Sequence, residues 1–205
     1  LDSNGKMLKS RAGQSAKLVD LLKESIIRAD SAISEKNPDL TGENKARISK
    51  MIGIGAVKYA DLSTDRSKDY IFDWDKMLSF EGNTAPYLQY SHARISRIFS
   101  LSPVSRESLR NSNIQLSTVE GEVLAKCIVN FAESLDESIY SSHPHKLCTH
   151  IHATSSAFAT FYEACPILKS EDDQIMISRL ALCDLTARVI STGLDLLGIM
   201  SPEMM

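Results

Sequence analysis

The 205 residues predict an all-α protein, and three observations carry that prediction. Apolar positions recur at alternating spacings of three and four in several long stretches, the period of one helix face. Only six prolines and nine glycines interrupt the chain, and they fall between those stretches. Strict period-two alternation is confined to one short tract near Trp74.

Along the chain, residues 4–13 come first, a run rich in small and basic residues that includes Lys6, Lys9, Ser10 and Arg11. Helices are predicted over roughly 15–35 and 43–60, separated by the Asn37-Pro38 break and the Thr41-Gly42 turn. From Asp69 to Phe80 the aromatics Tyr70, Phe72 and Trp74 alternate with Ile71 and acids, which predicts an extended segment. In that geometry Asp73 and Asp75 share a side, and two exposed acids are read as structural rather than as a catalytic pair.

A helix over 83–99 presents Leu88, Ser91, Ile95 and Ile98 on one face. A further helix is predicted on Leu116, Val119, Val123, Cys127, Phe131, Leu135 and Ile139, with Ser117 and Glu120 as its capping box. Two more follow, one on Leu147, Ile151, Thr154, Phe158 and Phe161, the other on Leu180, Cys183, Ala187, Ile190, Leu194 and Leu197. Gly198 and Pro202 are expected to stop the last one. The outcome is a helical bundle over 81–205 with a differently built lead-in over 1–80.

The net charge of −3 hides a gradient. Residues 1–60 carry eleven Lys/Arg against seven Asp/Glu, residues 61–110 seven of each, and residues 111–205 five against twelve. A nucleic acid would therefore be held by a local basic face, not by the whole field. Four scattered cysteines do not make a disulfide framework and are expected to be buried free thiols. No run is long and apolar enough for a membrane span, and no signal peptide is visible.

One local pattern points to chemistry. Rotated about 100° from the apolar face of the 83–99 helix lie Tyr87, Tyr90, Arg94 and Arg97. Tyrosine faces beside planar cations suit unstacked bases and their phosphates. The competing reading is that the tyrosines complete a core while the arginines pair with neighbouring acids. His143, His145, Cys148, His150 and His152 form a dense group in which His145, Cys148 and His152 could share a helix face. No second cluster supplies further ligands, so no metal is assigned.

The motifs together resemble one family. Lys6-Met7-Leu8-Lys9-Ser10 is similar to the second ATP-site motif of class I aminoacyl-tRNA synthetases, with Leu8 where serine is usual. Lys58-Tyr59-Ala60-Asp61-Leu62 and Asp69-Tyr70-Ile71-Phe72 resemble the end of an arginyl-tRNA synthetase catalytic domain. Gly82-Asn83-Thr84-Ala85-Pro86-Tyr87-Leu88-Gln89-Tyr90 with Arg94 looks like the start of its anticodon-binding domain, and 179–205 like its C-terminus.

The resemblance implies a helical anticodon-binding domain over 81–205, preceded by the end of a catalytic domain over 1–80. It implies an arginine–tRNA ligase that joins arginine to tRNA using ATP and magnesium, cytoplasmic and monomeric, with no cofactor held by this piece. Lys6, Lys9 and Ser10 would belong to the ATP loop. Tyr87, Tyr90, Arg94 and Tyr162 would face the anticodon loop, with Met205 close by and Arg97 next on the stripe. No counterpart of the His-Ile-Gly-His-like motif is present, so this piece is expected to bind rather than catalyse. A helical interaction scaffold, working through the acidic surface between Glu120 and Glu171, is the alternative.

Overall fold

The computed structural model describes residues 17–69, 71–170 and 172–205. Among these residues every regular element is helical: α1 (Leu18–Lys36), α2 (Gly42–Leu62), α3 (Trp74–Met77), α4 (Ala85–Leu101), α5 (Val119–Val129), α6 (Phe131–Ser141), α7 (Pro144–Ala164) and α8 (Asp173–Leu196), with a 3-10 turn at Glu107–Leu109. The all-α expectation holds.

α1 and α2 form an antiparallel hairpin. Ala29 and Ile33 of α1 meet Ile48 and Ile52 of α2, with Leu40 closing the turn. Asp30 accepts from Lys45 Nζ at 2.6 Å and Ser49 Oγ at 3.1 Å across the pair. Those bonds hold the Asp30 carboxyl below its ordinary range, the lysine bond most of all.

The bundle is centred on α4, α7 and α8. The stripes predicted on the last two helices are buried as expected: Leu147, Ile151, Thr154, Phe158 and Phe161 on α7, and Leu180, Cys183, Ala187, Ile190 and Leu194 on α8. They meet Ile95 and Ile98 of α4 at one end and Leu88 at the other. Tyr59 of α2 joins the second cluster, donating its hydroxyl to Asn83 Oδ1 at 2.6 Å and to the Cys148 carbonyl at 3.0 Å. The lead-in therefore shares a core with the bundle.

α8 ends as predicted. Gly198 adopts φ +67°, and the Ile199 N–H reaches back to Leu194 O at 2.8 Å, a Schellman closure that needs a left-handed residue.

Two expectations are corrected. The helix read over 116–139 is two helices, one after the other along α7 and interrupted at Asn130, whose backbone sits at φ −78°, ψ 1°. Its cap is Thr118, accepting from Gly121 N at 3.1 Å, not Ser117. Of its predicted stripe, Val119 stays 72% exposed and Ile139 67%, while Gly121, Leu124 and Ser138 are buried. The packed side of α5 is that of Gly121 and Leu124, and Gly121 lets α5 come close to Phe161. The extended segment also fails from Trp74 onward: Asp73 accepts from the N–H groups of Asp75 and Lys76 and starts the one-turn α3. Tyr70 lies outside the described residues.

Candidate nucleic-acid interface

α4 starts where Thr84 Oγ1 accepts from Tyr87 N at 3.2 Å, with Pro86 in the first turn. It then runs parallel to α7. Tyr87 lies against the His152 ring at 5.6 Å, Ser155 donates to Ser91 Oγ at 2.6 Å, and the Arg94 guanidinium sits 3.9 Å above the Tyr162 ring. Small serines in the middle let the two helices approach, which brings Arg94 onto Tyr162.

The other wall is the segment after α8. Ile199 anchors in the core, and polar side chains hold the rest by its backbone. Gln89 Nε2 donates to Met200 O at 2.7 Å, His92 Nδ1 lies 3.0 Å from Pro202 O, and Asn37 Nδ2 donates to Met205 O at 3.1 Å. A carbonyl can only accept, so neutral His92 carries its proton on Nδ1. Burial pushes the His92 imidazole below its ordinary value, partly opposed by the Pro202 carbonyl.

Between α4 and this segment lies an open groove of about 590 Å³, lined by Tyr90, Arg94, Arg97 and Met205 together with Asn37 and Glu203. Tyr90 is 42% exposed and Arg97 is exposed, so stacking surface and cation face the same opening. Such a surface can hold an unstacked base and its phosphate.

The structure thus brings Tyr90, Arg94, Arg97 and Met205 into one groove, with Tyr162 reached through Arg94. Tyr87 is half-buried one turn earlier on the α7 side and packs beside the core. Lys6, Lys9 and Ser10 lie outside the described residues. Asn37 and Glu203 had no signal in the sequence, since a turn asparagine and an isolated acid look like surface.

The histidine group does not converge on a point. His152 turns to Tyr87, His150 to Phe131 at 5.9 Å, and the Cys148 thiol is buried, its pKa pushed up to about 12 by desolvation. Among the described residues no group of three His, Cys, Asp or Glu side chains could hold a metal ion. All four cysteines are free; three are buried and Cys127 is half-buried.

Residues 88–205 match the family described as DALR anticodon binding domain, and residues 1–74 match the class I tRNA synthetase (R) catalytic domain. The arginine–tRNA ligase of Cellvibrio japonicus is 49% identical over 206 residues, covering 100% of this chain and 35% of that protein. That of Pasteurella multocida is 45% identical, covering 100% and 36%. The chain spans about a third of the length of these curated relatives. Among solved structures, the Thermus thermophilus arginyl-tRNA synthetase superposes with a TM-score of 0.85 at 29% identity over 95% of this chain and 33% of that one. The Plasmodium falciparum enzyme gives 0.84 at 28%, covering 93% and 34%.

Proposed function

From the premise that the chain belongs to the family of DALR anticodon-binding domains, we propose that its bundle grips the anticodon arm of an arginine tRNA as part of an arginine–tRNA ligase. The observation that supports it most is the Arg94–Tyr162 stack opening onto the groove with Tyr90, Arg97 and Met205, all inside the family-matched region. A pre-stacked guanidinium is oriented before the RNA arrives, so less entropy is lost on binding. Tyr90, and Tyr87 at the margin, offer faces for loop bases, while Arg97 neutralises a phosphate.

In the longer protein, Lys6, Lys9 and Ser10 would serve the ATP loop, and ATP with magnesium and arginine would be substrates of the activation step. Residues 1–80 would close the catalytic domain and 81–205 form the anticodon-binding one. A cytoplasmic monomer is the proposed setting. Among the described residues no helix is long and apolar enough to cross a membrane. The scaffold alternative is not favoured, because the family match falls on the same helices that build the groove.

The test is binding of the chain to arginine tRNA, and to the same tRNA with its central anticodon base changed, at two salt concentrations. The parent should prefer the native anticodon and weaken as salt rises. Arg94→Ala and Tyr90→Ala should each cost about 1–3 kcal/mol and erase the preference. Equal, weak binding of both tRNAs by parent and variants would refute the proposal.

A further inference from the structure

Where the last turns of α2, the α3 segment and the start of α4 converge, they surround a cavity of about 230 Å³. It shares no lining residue with the groove along α4. We propose that it is a binding site for a free α-amino acid with an aliphatic side chain, taken as the zwitterion. The site stands apart from any RNA-binding role.

Asp73 and Lys76 bring one anion and one cation to the lining. Asp73 Oδ1 accepts from Asp75 N at 3.0 Å and from Lys76 N at 3.2 Å, so this oxygen is engaged in capping α3. Among the described residues, neither the Asp73 carboxylate nor Lys76 Nζ has an ion-pair partner. A ligand with a single charge would match one of the two and leave the other unanswered. An ammonium and a carboxylate on one molecule match both, and hydrogen bonds between ionised groups are the stronger kind.

Asn83 adds a donor. Its Oδ1 accepts the Tyr59 hydroxyl at 2.6 Å, and the same hydroxyl reaches Cys148 O at 3.0 Å. Tyr59 is buried, so this bond fixes the Asn83 amide and leaves Nδ2 as its donor to a carboxylate oxygen. The helix ends act in the same sense. α2 finishes here with no basic residue in its last turn, and α4 begins here. Carbonyls at the one end favour an ammonium, and N–H groups at the other favour a carboxylate.

Between these polar groups the lining is apolar, from Ala56, Ile71, Met77 and Ala85. Ala56, Met77 and Ala85 are buried in the fold, whereas Ile71 stands 58% exposed, and an aliphatic side chain on the ligand would cover it. The volume is below that of drug-sized pockets and suits a molecule of amino-acid size. α2 lies in the region that matches the catalytic domain, and α4 from Leu88 onward lies in the anticodon-binding region. A bound amino acid would tie the two together and stabilise the chain by mass action.

The experiment follows the amide signals of Ala56, Thr64 and Ala85 by two-dimensional NMR of the chain during titration with three ligands. These are L-leucine, isopentylamine, which is leucine without its carboxylate, and isocaproate, which is leucine without its amine. L-leucine should shift all three signals saturably, bind about tenfold tighter than either analogue and raise the Tm of the parent. Lys76→Met should bring leucine down to the affinity of isopentylamine. Asp73→Asn, which still caps α3, should bring it down to that of isocaproate. No saturable shift of these amides by L-leucine in the parent would overturn the site, and so would equal binding of the three ligands.

Discussion

Gly53 sits in the middle of α2, where alanine would ordinarily be the better residue by about 1 kcal/mol. The structure reverses that expectation. A Cβ built on Gly53 would fall 2.7 Å from Ile26 N, 2.8 Å from Ile26 Cα and 2.8 Å from Ser25 C. Carbon contacts settle near 3.5–4.0 Å, so the helices would have to separate by on the order of 1 Å. All three atoms are main chain, and no rotamer change can clear them. Overpacking costs about 1–3 kcal/mol, and a clash with backbone belongs at the upper end. After the propensity gain, Gly53→Ala should destabilise by about 1–2 kcal/mol, roughly 2–8 °C in Tm for a chain of this size. Equilibrium urea denaturation would show a lower midpoint with an unchanged slope. Trimming the neighbouring side chain with Ile26→Ala should restore nothing, because that side chain is not the obstacle. A Gly53→Ala chain as stable as the parent would refute the argument from close helix approach. Because Asn37, just past the end of α1, lines the groove, the same variant should weaken tRNA binding more than its stability loss explains.

Asp184 is 4% exposed and is bridged by Arg188 at 2.6 Å and Arg106 at 3.6 Å. Arg106 also covers Phe99 and donates to Ser96 Oγ at 3.2 Å, tying α8 to α4 behind the groove. Asp184→Ala should cost about 1–3 kcal/mol by urea denaturation, against about 0.3–0.5 kcal/mol for Glu24→Ala in the exposed pair with Arg28; equal costs would deny the network its role. Burial lowers the pKa of His92, and of His150 and His152, below the ordinary 6.5. The unfolded chain therefore takes up protons first, so the stability these groups lend is complete above that value and declines as pH falls through it, levelling once the folded histidines protonate. Denaturation midpoints should fall between about pH 7.5 and 5, and His92→Gln should flatten part of that slope. A midpoint that rises on acidification would contradict it.

The sequence alone determined the helices whose burial follows a single straight stripe. α7 and α8 each pack one unbroken face into the core, and the 3.6-residue period records that directly. Gly198 was legible for a similar reason, since a left-handed stop depends on one residue's own backbone. The shared surface of Tyr90, Arg94 and Arg97 could also be read, because neighbours along a helix are fixed by spacing, whereas Tyr87 packs toward α7. The α5–α6 stripe misled, since the side of α5 that packs carries Gly121, which gives no apolar signal, while Val119 and Val123 of the stripe stay exposed before the break at Asn130. Asp73 misled too, because a capping side chain overrode the alternation around it.

What only the tertiary structure decided is the groove itself. Arg94 meets Tyr162 because α4 and α7 run parallel past two serines, and Met205 meets Asn37 across 168 positions of sequence. Asn37 carries no periodic signal, and it becomes part of the groove only when the α1–α2 hairpin docks beside α4. Local spacing fixes what a helix can present. Which of those side chains face each other is set by packing between segments far apart in the chain.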